Sequence, residues 1–137
     1  RLLIELGSDV NERGGYHGSA LQAAAHWGKV DLLLRKGVDV NERGRIYGSP
    51  LQAAVCAGNF ANAVVLIRYG ADVNICRGRY GTALQAACVY GRDVMVKMLV
   101  EKGADPNLAG GRYRSPLTAA AFHKNESIVR YLLGNGA

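Results

Sequence analysis

The chain has 137 residues, with 17 Lys and Arg against 11 Asp and Glu, for a formal net charge of +6. No apolar run approaches the roughly 18 residues a bilayer-spanning helix needs, and no N-terminal signal segment is read. Three cysteines (Cys56, Cys76, Cys88) form no CxxC pair and cannot all pair with one another, which argues for a reduced cytosolic or nuclear setting over a secreted disulfide scaffold.

One phrase organises everything else. Gly7-Ser-Asp-Val-Asn11, Gly37-Val-Asp-Val-Asn41, Gly70-Ala-Asp-Val-Asn74 and Gly103-Ala-Asp-Pro-Asn107 are copies of it, and Gly136-Ala137 begins a further copy, with starts separated by 30, 33, 33 and 33 residues. A period in this range marks a solenoid, in which each unit buries its apolar face against its neighbours. Aligned on the Asn, the chain reads as one array: 1–11, the end of a truncated repeat, then 12–41, 42–74, 75–107 and 108–137.

In chain order, Arg1-Leu-Leu-Ile-Glu-Leu6 reads as the end of an outer helix. The repeat at 12–41 opens with a polar loop, and Ser19…Gln22 then forms a Ser/Thr-x-x-Gln capping box, the signature of a helix start. Only nine residues separate Gly28 from Gly37, where the next two repeats take twelve, so its outer helix should be about one turn short. The repeat at 42–74 repeats the box as Ser49…Gln52, with Pro50 where a missing N–H is harmless. In 75–107, the Gly-rich loop at 75–81 precedes Thr82…Gln85 and a short small-residue helix over 84–90. Gly91 breaks it, a second helix over 94–102 places Val94, Met95, Met98 and Leu99 at helical spacing, and Gly103 supplies a left-handed stop. The last repeat keeps the hydroxyl half of the box (Ser115…Thr118, with Pro116), but Lys124 replaces the interhelical Gly, so that turn must change geometry or accept strain. Neither end shows a polar capping repeat, which leads us to expect a fragment of a longer array.

This pattern resembles the ankyrin repeat over the whole chain. The family's Thr-Pro-Leu-His-x-Ala-Ala box is matched by Ser19-Ala-Leu-Gln-Ala-Ala-Ala25, Ser49-Pro-Leu-Gln-Ala-Ala-Val55, Thr82-Ala-Leu-Gln-Ala-Ala-Cys88 and Ser115-Pro-Leu-Thr-Ala-Ala-Ala121. The Tyr-Gly-Thr-Ala-Leu-Gln-Ala-Ala form resembles arrays in fungal multidomain proteins, including NACHT-type receptor-like chains. The resemblance implies an all-α ankyrin-repeat solenoid of helix-turn-helix units with β-hairpin-like finger loops. It also implies a concave face of fingers and inner helices that binds a protein partner. The family's box His is Gln or Thr here, residues that can still bond the neighbouring loop.

The fingers at 12–18, 42–48, 75–81 and 108–114 hold Arg13, Arg43, Arg45, Arg77, Arg79, Arg112 and Arg114 against Glu12 and Glu42, so most of the net charge falls on one edge. Polar loops that keep an edge soluble would look like this. So would an anion-facing rim, and Arg, with its bidentate fork, favours the second reading. The inner-helix slots implied to face a partner are His26-Trp27, Cys56-Ala57, Val89-Tyr90 and Phe122-His123, with small Cys56 and Ala57 leaving a shallow depression. Trp27, Tyr90 and Phe122 are the expected apolar anchors, and Arg45, Arg79 and Arg112 the charge clamps. Tyr16 and Ile46 complete the candidate partner-binding set. Tyr47, Tyr80 and Tyr113 recur at one slot, which suggests packing between fingers.

The recurring Asp and Asn of the phrase read as turn residues whose side chains satisfy backbone amides. His17, His26 and His123 fall at different slots with no nucleophile beside them, and the fingers lack a GxxxxGK[ST] motif. No Cys/His spacing matches zinc. The expectation is a non-enzymatic module without cofactor or small-molecule substrate, binding an acidic protein or peptide. Nucleic-acid or anionic-surface binding through the Arg edge is the alternative, as is a structural spacer that self-associates end to end.

Overall fold

The computed structural model describes residues 13–14, 18–44 and 47–137; the side chains at 13, 14, 18, 19 and 27 are outside that description. The expectations for 1–12, Tyr16, His17, Arg45 and Ile46, and for the Arg13, Ser19 and Trp27 side chains, therefore lie outside it. The elements are β1 (Arg13–Gly14), β2 (Gly18–Ser19), α1 (Ala20–Trp27), α2 (Asp31–Arg35), α3 (Pro50–Ala57), α4 (Phe60–Arg68), α5 (Ala83–Val89), α6 (Asp93–Glu101), α7 (Pro116–Phe122) and α8 (Glu126–Gly134). The chain divides into two compact units, Arg1–Asp72 and Val73–Ala137. In each, short inner helices pack side by side (α1 with α3, α5 with α7). The outer helices α4, α6 and α8 each pack on the inner helix of their own repeat.

The inner helices start as the sequence dictates. The Ser49, Thr82 and Ser115 hydroxyls accept the backbone N–H of Gln52, Gln85 and Thr118 at 3.3, 3.1 and 3.1 Å. Pro50 and Pro116 occupy the first helical positions. In the repeat at 75–107 the reciprocal arm of the box gives way to a backbone bond, and the last repeat, with only the hydroxyl half, makes the same bond. The Thr82 and Ser115 N–H groups go to the Tyr80 and Tyr113 carbonyls at 3.0 and 2.9 Å. Buried Gln side chains reach the next finger: Gln22 Nε2 donates to the Glu42 carbonyl at 3.3 Å, and Gln85 Nε2 to that of Leu108 at 3.5 Å.

The outer helix of the first full repeat is short, with α2 at five residues against nine in α4, α6 and α8. Beside it, buried Asn62 of α4 turns its Nδ2 toward the carbonyls at the end of α1, closest to Gly28 O at 2.6 Å. The core of each unit is made of the box Leu (Leu21, Leu51, Leu84), the box alanines, and Leu66, Leu99, Ile128 and Leu132 from the outer helices.

The phrase has two jobs. Its Gly37, Gly70, Gly103 and Gly136 take φ of 84, 94, 100 and 96°, the left-handed region that ends each outer helix. Its Asn binds the following copy. Asn41 Nδ2 donates to Gly70 O at 3.3 Å while its Oδ1 accepts from Asp72 N at 2.8 Å. Asn74 makes the same pair with Gly103 O and Asp105 N at 3.0 and 2.7 Å, and Asn107 reaches Gly136 O at 3.0 Å. The Asp carboxylates accept from the Asn backbone two residues on, Asp39 from Asn41 and Asp105 from Asn107 at 2.9 Å each, which is the turn role expected of them.

Candidate partner-binding surface

Each finger closes at the same two slots. Gly14 pairs with Gly18. The N–H groups of Gly44, Arg77 and Gly110 donate to the carbonyls of Gly48, Gly81 and Arg114 at 3.2, 2.7 and 2.8 Å respectively. The hairpin-like form of the fingers is thus observed. In the unit Val73–Ala137, two consecutive fingers touch directly, with Arg112 N–H donating to Arg79 O at 3.0 Å. Glycine allows this. A Cβ on Gly81 would come within 2.9 Å of the Gly110 backbone, one on Gly111 would fall on the Tyr80 backbone, and one on Gly110 would fall on Cys76 Sγ. Fingers therefore join through backbone, and the tyrosines do something else.

Tyr80 and Tyr113 tie each finger to the end of its own inner helix. The Tyr80 and Tyr90 hydroxyls lie 2.9 Å apart with their rings edge to face at 5.7 Å. One repeat on, His123 Nε2 lies 3.2 Å from the Tyr113 hydroxyl, and Tyr113, Phe122 and His123 form a ring cluster with centroids 5.2–5.4 Å apart. These pairs occupy the same two slots in both repeats. Where the repeat at 42–74 has Ala57 in place of a ring, Tyr47 lies beside His26 of the preceding inner helix at 5.4 Å. The reading of these tyrosines as packing between fingers is corrected accordingly: Tyr80 and Tyr113 brace finger against helix.

Of the candidate residues, Arg43, Arg79, Arg112, Arg114 and His123 are exposed, and Arg77, Val89 and His26 are half-buried. Tyr90 and Phe122 remain 44% and 69% exposed, so both anchors stand in solvent. Cys56 is 7% exposed and belongs to the core, because the box places it under its neighbours; it does not line the depression assigned to it. Glu42, counted from the sequence as offsetting the finger charge, is 2% exposed and does not face the rim. Burial also pushes the Cys88 thiol up to about 12.

One cation was missed. Arg92 sets its guanidinium 5.4 Å from the Tyr90 ring centroid, as Arg112 does over Tyr113 at 5.9 Å. Arg92 holds the slot in which Asn59 caps α4, where the Asn59 side chain accepts from Asn62 N at 3.1 Å; Arg92 makes no such cap. The departure from Asn at that slot was the available signal.

A cavity of about 140 Å³ lies away from the fingers, between α6 and α8, lined by Asp93, Val96, Lys97, Ser127, Ile128 and Tyr131. Its polar groups answer each other: Ser127 donates to Asp93 at 2.8 Å, and Lys97 lies 5.9 Å from the Tyr131 ring. Among the described residues no group of three or more His, Cys, Asp or Glu could hold a metal, and no helix is long and apolar enough to cross a membrane.

Paired helices, hydroxyl-capped inner helices and hairpin fingers repeating every 30 to 33 residues define an all-α repeat protein. The family model for ankyrin repeats (three copies) matches residues 30–109 and 51–137, and the chain belongs to that family. Ankyrin repeats are generally protein–protein interaction modules and typically not enzymes. A comparison with curated proteins gives no match.

Proposed function

We propose that the finger and inner-helix surface binds an acidic protein segment, with Tyr90 and Phe122 as apolar anchors and Arg79, Arg92 and Arg112 as clamps. One observation carries this reading: two fingers joined through backbone, containing Arg77, Arg79, Arg112 and Arg114 and no Asp or Glu, stand beside exposed aromatic rings. Two of the guanidiniums in this region lie over Tyr rings, which limits their rotamers. A guanidinium held by its face still donates from its in-plane edge, the geometry that suits a carboxylate. Fingers braced by Tyr80 and Tyr113 present these groups with little ordering on binding.

The test uses fluorescence anisotropy with a labelled synthetic peptide of repeated Glu-Glu-Leu units and its Gln-Gln-Leu counterpart. The acidic peptide should bind the tighter of the two, and the Arg79→Ala/Tyr90→Ala double variant should lose about 2–4 kcal/mol of that affinity, with a smaller loss of folding stability from the missing Tyr80–Tyr90 contact. Equal affinity for the two peptides, or an unaffected double variant, would sink the reading.

A further inference from the structure

We propose that the repeat at 108–137 carries its own anion subsite, in which Arg112, Arg114 and Lys124 surround the Tyr113–Phe122–His123 cluster. Its occupant is a carboxylate-bearing protein segment with an apolar side chain laid on Phe122. This rests on the partner-binding reading above and gives it a place and a chemistry.

Two turns meet here. The His123–Tyr113 contact at 3.2 Å joins the finger to the interhelical turn, so the cations adjoining those residues in the chain, Arg112 and Arg114 on one side and Lys124 on the other, border one aromatic floor. Phe122, 69% exposed, is the open part of that floor.

Both turns are strained at a cation. Arg114 has φ 74° and Lys124 φ 58°, the only non-glycine residues with positive φ among the described ones. In the repeats at 42–74 and 75–107 the matching slots hold glycine in the same conformation: Gly48 and Gly81 at φ 86 and 81° for the first, Gly58 and Gly91 at 73 and 65° for the second. Only glycine adopts this region without a steric cost. A charge needed merely for solubility could stand on any exposed helix position without strain, whereas here two long cations occupy the two slots least suited to a side chain. Strain of that kind is retained at sites that use it.

The charge is also unanswered locally. The finger 108–114 holds no Asp or Glu, and Glu126, at the start of α8, is engaged by Arg130 at 2.8 Å. Three cations around a single apolar platform suit a carboxylate cluster beside one hydrophobic side chain. A nucleic acid would require a row of stacking platforms along a continuous basic track.

The experiment measures binding of the labelled Glu-Glu-Leu peptide and thermal unfolding on Arg114→Gly/Lys124→Gly and on Arg114→Asn/Lys124→Asn. Asn also tolerates the left-handed region, so the second pair removes charge without adding glycine's flexibility. Both variants should melt a few degrees higher than the parent and bind the peptide about tenfold more weakly. Unchanged affinity in both, with the rise in melting temperature, would overturn the subsite. If affinity falls with Arg79→Ala/Tyr90→Ala but not with these variants, the subsite alone is wrong. If the parent does not prefer Glu-Glu-Leu over Gln-Gln-Leu, both readings fail, and tighter binding to oligothymidylate than to the peptide overturns the assignment to a protein segment.

Discussion

Single residues in this chain do work that their type alone does not announce. Cys88 and Cys76 are both free thiols, yet Cys88 is buried with its pKa raised from 9.0 to about 12, and Cys76 is exposed and donates to Ala109 O at 3.3 Å. The raised value has a consequence for stability. Below pH 9 both folded and unfolded chains hold the Cys88 proton, and its contribution is complete. Between about 9 and about 12 the unfolded chain releases that proton while the folded one keeps it, so stability falls as pH rises. Urea titrations at pH about 8 and about 10.5 should show this loss, and Cys88→Ala should reduce the difference between the two while lowering stability at both through the cavity it leaves. An identical pH dependence in Cys88→Ala would remove Cys88 as its source. Asn62 is the opposite case, a residue illegible in the sequence. Its slot holds Met95 and Ile128 in the two following repeats, and only the positions of the α1 carbonyls explain a buried amide there.

At the scale of elements, what the sequence made legible is what local chemistry decides. The hydroxyl caps at Ser49, Thr82 and Ser115, the proline at the first helical position, the glycine stops and the shortened α2 follow from residue type and spacing, and these are present. What it did not show depends on competition between partners. The second arm of the capping box at Thr82 lost to the Tyr80 carbonyl, and Tyr80 and Tyr113 turned toward their own inner helices where their two fingers already meet through backbone. That backbone contact gives the sharpest element-level expectation. Gly111→Ala puts a methyl group on the Tyr80 backbone at a residue with φ 67°, so the two fingers must separate and the Arg112–Arg79 bond must break. Stability should drop by about 2 kcal/mol in urea unfolding, and the Arg112 amide should lose its hydrogen-exchange protection. Retained protection at Arg112 would show that the fingers do not depend on this glycine.

For the molecule as a whole, the net charge of +6 is modest, and its placement matters more than its size. Five arginines (Arg77, Arg79, Arg92, Arg112 and Arg114) belong to the fingers and the adjoining turn of the unit Val73–Ala137, and Glu42, which by sequence position offsets the rim, is buried. A surface of this kind attracts any polyanion, so affinity by itself does not identify the partner. Salt does. A single-stranded nucleic acid engaging all five would release condensed counterions with a slope of about −3.5 in log affinity against log salt, a loss of about a hundredfold between roughly 50 and 200 mM. A short acidic peptide condenses few counterions, and its ion pairs with guanidiniums set over Tyr rings are screened only in part. Its affinity should fall by less than about tenfold over the same range, with the apolar contact to Phe122 and Tyr90 persisting at the higher salt. Measured by anisotropy on the same preparation, a peptide slope as steep as that of oligothymidylate would mean that the aromatic rings contribute nothing and that the Arg edge alone binds, as a general polyanion surface.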